Sequence, residues 1–121
     1  MDILALLGNI HYICICIFIT FMGNMDNEKA KSVENIVCEI LGSKRELLYI
    51  GKGDMPTYMS RYFVEYIFNK YLNISYSCIG KYMNISTRNI MKGVSFVKYG
   101  IEHDKYYIDI WNKIKKKLDY D

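Results

Sequence analysis

Arg88, Asn89 and Lys92 lie close together in the segment STRNIMKG, residues 86–93. All three side chains can read or neutralise a nucleic acid. Arginine offers paired donors that match a guanine edge, asparagine pairs a donor with an acceptor as adenine requires, and lysine neutralises phosphate. Ser86 and Thr87 precede them with hydroxyls that suit bases or backbone alike. Such residues act together at the N-terminal turns of a helix held firmly against a second one. A solvated charged face is built from the same residue types, so the elements that position them must decide.

Residues 75–93 carry the pattern of a helix-turn-helix. The first helix of that motif needs a small residue where the second crosses it, and Gly80, after Ile79, supplies one. The turn needs a residue tolerant of left-handed geometry, a role for Asn84. Ile85 should tuck beneath the turn, Ser86 should cap the second helix, and Ile90 should enter the core. Gly93 fits badly, because a core aliphatic is expected there and Val94 comes one step later. On a helical wheel Ile90, Val94, Val97 and Ile101 share one face, while Arg88, Lys92, Ser95 and Tyr99 share the other.

The rest of the chain from residue 26 onward reads as helical, giving an all-α multi-helix bundle of about six helices. Val33, Ile36, Val37, Ile40 and Leu41 form one stripe, ended by Gly42. Ser43 to Glu46 reads as a capping box for a short helix through Leu47 and Leu48. Pro56 suits the first turn of a long helix whose buried face is Met59, Tyr62, Phe63, Tyr66, Ile67 and Tyr71. Asn73 should close that helix and Ser75 should cap the next. A last amphipathic helix carries Tyr107, Ile110, Trp111, Ile114 and Leu118.

The net charge of +3 hides an asymmetry. Between residues 60 and 98 stand six basic residues, Arg61, Lys70, Lys81, Arg88, Lys92 and Lys98, against the single acid Glu65. The flanking segments are nearly balanced, so the positive field centres on the helix-turn-helix and favours a polyanionic partner. Cys14, Cys16, Cys38 and Cys78 form no CxxC pair and have no paired His ligands, which argues against a zinc site or disulfide framework and for a reducing, cytoplasmic setting. His103 beside Asp104 reads as a helix start rather than a catalytic pair, and no nucleophile–base spacing is evident. The reading is non-enzymatic, with no metal and no cofactor.

Residues 1–25 stand apart as a hydrophobic N-terminal segment, with residues 26–121 as the helical domain. Residues 3–21 carry no formal charge when His11 is neutral and approach membrane-spanning length. They fit a secretory signal poorly, since Asp2 replaces a basic start and no small-x-small cleavage site follows. Three readings remain open: a membrane anchor, an over-extended start before Met22 or Met25, and packing into the domain.

The segment SRYFVEYIFNKYLNISYSCIG, residues 60–80, resembles the C-terminal DNA-binding domain of the bacterial replication initiator DnaA. In that family a long helix begins with a small residue and Arg, has a Tyr five positions on, and leads through Leu-Ser-Tyr to Ile-Gly. Arg61, Tyr66, Ile74, Ser75, Tyr76, Ile79 and Gly80 match without a gap. VENIVCEILGSKRELL, residues 33–48, resembles the family's first helix and its short successor, and residues 99–118 resemble its final helix. The resemblance implies that Arg61 reaches into a minor groove and that Lys81 meets phosphate. The family reads its box with a Gly-Gly-Arg-Asp-His-Thr-Thr run, and NISTRN, residues 84–89, replaces it one residue shorter, so the family's box specificity should not carry over. No Gly-x-x-x-x-Gly-Lys-Ser/Thr loop is present to run an ATPase.

Two functions follow as expectations. The first is double-stranded DNA binding in replication initiation or transcription control, without ATPase activity. Ser86, Thr87, Arg88, Asn89 and Lys92 would face the major groove, Lys81 and Lys98 would neutralise phosphates, and Arg61 would enter the minor groove. The second is a structural or protein-interaction module that keeps the fold and has lost DNA, with a protein as its partner and a membrane only if residues 3–21 are a real anchor.

Overall fold

Local capping chemistry defines most helix boundaries in the computed structural model, which describes residues 27–50 and 54–119. The expectations for residues 1–25 therefore lie outside the described residues. The order is α1 (Asn27–Leu41), a short 3₁₀ turn (Arg45–Leu47), α2 (Met55–Lys70), α3 (Tyr76–Met83), α4 (Thr87–His103) and α5 (Lys105–Leu118). The described fold is all-α. None of its helices is long and apolar enough to cross a membrane.

Helix α2 starts where Asp54 accepts hydrogen bonds from the Thr57 amide (3.0 Å) and hydroxyl (2.6 Å), with Pro56 in the first turn. Asn73 closes it at φ +55°, and the Asn69 amide secures the exit by donating to the Ile74 carbonyl. Ser75 then caps α3 by accepting from the Cys78 amide. At the far end Asp104 caps α5 by accepting from the Tyr106 amide. Each cap satisfies amides that the first helical turn leaves without partners.

One expected cap is absent. Residue 44, not Ser43, precedes the 3₁₀ turn, and no side chain caps it. The Ser43 hydroxyl pairs instead with that of Ser60, a fully buried residue of α2. A three-residue turn presents few free amides, so the hydroxyl ties two elements together.

Helix α2 is the centre of the bundle and packs against α1, α3 and α4. Phe63, Val64, Ile67 and Phe68 are completely buried on it. That is a wider apolar girth than one helical stripe, because the helix has neighbours on several sides. Val33 and Val37 enter the core from α1, Ile79 and Met83 from α3, Ile90, Val94 and Val97 from α4, and Ile110, Trp111 and Ile114 from α5. Trp111 packs edge-on against Tyr66, with ring centroids 5.4 Å apart.

Burial also takes in charged groups. The Glu34 carboxylate, 2% exposed, accepts from the Tyr82 hydroxyl and from Arg45 Nε at 3.2 Å, joining α1, the 3₁₀ turn and α3. Burial and this carboxylate push the Tyr82 hydroxyl up to about 12. Glu65 of α2 is 1% exposed, and its Oε2 has no hydrogen-bond partner among the described residues. Desolvation raises it to about 8, against a smaller opposing pull from Arg61.

Candidate nucleic-acid interface

The turn between α3 and α4 is built as the sequence pattern requires. Asn84 sits in the left-handed region (φ 57°, ψ 46°), and the Ile85 amide donates back to the Gly80 carbonyl at 2.9 Å. The Ser86 hydroxyl accepts from the Asn89 amide at 3.3 Å and so opens α4. Gly80 is buried at the crossing. A Cβ there would stand 2.6 Å from the Ile85 carbonyl oxygen, so the close approach is between a helix and the turn backbone.

The second close approach explains the position that seemed ill-suited. Gly93 is buried where α4 lies on α2, and a Cβ there would come within 1.9 Å of Glu65 Oε2 and 2.8 Å of Tyr62 Cδ1. No core aliphatic belongs at residue 93. Val94 takes that role at 2% exposure, and the glycine makes room for the buried carboxyl.

With α4 seated in this way, Ser86, Thr87, Arg88, Asn89 and Lys92 are all exposed on its first turns. Lys81 is exposed on α3 and lines a cleft with Ser77, Asn84, Ser86 and Thr87, across the turn from the start of α4. Lys98 is also exposed, about 15 Å along the helix axis from Arg88 at the usual rise per residue. Seven of the eight expected contact residues are therefore exposed on α3 and α4, with Lys98 on the opposite flank of α4 from Asn89, nine residues earlier.

Arg61 is the exception and corrects the expectation. It is 9% exposed, its Nε donates to the Leu48 carbonyl at 2.6 Å, and its Nη2 reaches the Ile50 carbonyl at 3.4 Å. Its guanidinium also lies 5.2 Å from the centroid of the Tyr58 ring. The fixed fork of donors suits carbonyls left open after the 3₁₀ turn, so Arg61 fastens that turn to α2 rather than facing a minor groove.

His103 and Asp104 take structural places. The His103 ring stacks on Tyr99 at 4.2 Å, and Asp104 caps α5.

Beside Lys92 lies a feature that no single helical stripe outlines. Tyr58, Tyr62, Tyr106 and Tyr107, with Phe96 and two methionines, line a groove of about 620 Å³ between the start of α2, the middle of α4 and the start of α5. Phe96 is 53% exposed and Tyr106 57%. The signal was present: Phe96 follows Lys92 by four residues and so stands on the polar face, away from Ile90, Val94 and Val97. No protein family matches the chain, and no curated protein does either.

Proposed function

We propose that this protein binds double-stranded DNA by laying the first turns of α4 in the major groove, as the resemblance to the DnaA C-terminal domain suggests. The observation that supports it most is the arrangement of α4 itself. Arg88, Asn89 and Lys92 are exposed on its first turns, while Ile90, Gly93 and Val94 anchor it in the core. The Gly80–Ile85 contact and the Asn84 turn fix the angle at which that face is presented. Arg88 takes a guanine through its paired donors, Asn89 takes an adenine, and Lys81, Lys92 and Lys98 meet phosphates. The role is one of binding without catalysis, in replication initiation or transcription control.

Arg88→Ala and Lys92→Ala test the assignment, since both side chains are exposed and their loss leaves the core intact. Fluorescence anisotropy on duplex DNA should show affinity falling by about 1–3 kcal/mol for Arg88→Ala, a lost base contact, and falling alike on every sequence for Lys92→Ala, a lost phosphate contact, with unchanged circular dichroism in both. Unchanged affinity in both variants removes α4 as the reading helix.

A second reading, a protein-interaction module on the same fold, is favoured by apolar side chains on that helix. Met91 is 47% exposed and Tyr99 is 65% exposed, more apolar surface than a phosphate-facing helix needs. Binding of this kind would be insensitive to duplex DNA.

A further inference from the structure

We infer that the aromatic groove beside Lys92 is a single-strand nucleic-acid site in which unpaired bases stack on Tyr62, Phe96, Tyr106 and Tyr107 while Lys92 holds the adjoining phosphate. The inference rests on the nucleic-acid reading of α4 and extends it to a second form of the ligand.

The rings of the groove touch one another in sequence, at interplanar angles of 54° to 81°. Phe96 lies 5.6 Å from the Tyr62 ring and 5.9 Å from the Tyr107 ring, centroid to centroid, and Tyr106 lies 6.0 Å from Tyr107. The rings therefore form a chain across α2, α4 and α5. Phe96 and Tyr106 are each more than half exposed, so a planar partner can reach them without displacing core residues. The volume, about 620 Å³, lies within the ordinary range of ligand clefts.

Charge decides which planar partner fits. Lys92 is the one ionised side chain lining this groove among the described residues. A neighbouring groove on α4 shares Lys92 and Phe96 and adds Arg88 and Tyr99, with no carboxylate lining it. The basic side chains lining the pair of grooves are Arg88 and Lys92, no acidic one lines either, and Phe96 and Tyr99 follow them along α4. An acidic backbone bearing flat bases matches that combination, since bases offer faces to the rings and one or two linkages can meet the cations. The grooves also continue directly from the α4 face assigned to the duplex. A strand leaving a melted duplex would thus meet the rings without leaving the protein.

Anisotropy with labelled oligo-dT and with a hairpin duplex, using the full chain, tests the inference. Phe96→Ala and Tyr106→Ala should each weaken oligo-dT binding about tenfold, the expected loss for one stacked base, while duplex affinity changes less than about twofold. A strand carrying 2-aminopurine should be quenched by the wild-type protein and not by Phe96→Ala, which reports stacking directly. Wild-type protein that binds the duplex and ignores oligo-dT overturns this inference and leaves the duplex reading standing. Oligo-dT binding that both variants retain overturns it as well, because the strand then lies elsewhere. Binding of neither nucleic acid removes both proposals and favours a protein as the occupant of the groove.

Discussion

Glu65→Gln is expected to stabilise the protein most at mildly alkaline pH and to flatten its stability profile. Glu65 is buried between α2 and Gly93 of α4, and desolvation lifts its carboxyl from 4.5 to about 8. In the folded state it keeps its proton through the neutral range, whereas in the unfolded chain it releases the proton near its ordinary value. The folded state thus binds more protons between about 4.5 and 8, and stability falls as pH rises through that window. The full loss by pH 8 is of the order of 4 kcal/mol, a large part of the stability of a small domain. Urea unfolding at intervals from pH 5 to pH 8 measures it. A steep decline in the wild type that Glu65→Gln abolishes is the expected result. Parallel profiles would show that Glu65 is ionised in the fold, with a partner or water satisfying it.

Gly80→Leu should be the most damaging single change in the helix-turn-helix. The first added carbon would stand 2.6 Å from the Ile85 carbonyl oxygen, and a backbone atom cannot swing aside as a flexible side chain can. Overpacking of this kind costs about 1–3 kcal/mol and often more, which corresponds to a fall of several degrees in Tm for a domain of this size. The damage falls on the turn that aims α4, so duplex binding should weaken beyond what the stability loss explains. Scanning calorimetry with anisotropy at low temperature separates the two effects. An unaltered Tm would show that α3 and the turn do not meet at Gly80.

The two residues differ in how far the sequence revealed them, and the difference has a physical cause. Gly80, Asn84, Ser75 and Ser86 were legible because turns and caps are set by residues a few positions apart, whose chemistry is local. The exposed face of α4 was legible for a related reason, since helical periodicity separates Arg88 and Lys92 from Ile90 and Val94. Glu65, Arg61 and Gly93 depend on which helices surround α2, and periodicity within one helix carries no record of that. A helix with neighbours on three sides buries ionisable residues that a single amphipathic stripe would leave in water. Gly93 thus looked like a defect in a pattern, although it is the space into which the Glu65 carboxyl fits. Arg61 was placed at a minor groove by sequence resemblance alone, yet its donors serve the carbonyls of Leu48 and Ile50. The groove at Phe96 lies between three helices, and sequence could indicate one wall of it.

Salt dependence of duplex binding decides whether α4 and its neighbouring lysines meet DNA. Lys81, Arg88, Lys92 and Lys98 are the exposed cations assigned to DNA, and each phosphate they neutralise releases condensed counterions. A plot of log affinity against log salt for the full chain on a duplex should be linear, with a slope of roughly −2 to −4. Lys92→Ala should make it shallower by about one unit. Absent binding at low salt, or a slope near zero, would contradict duplex recognition by α4 and leave the protein-interaction module as the reading of this fold.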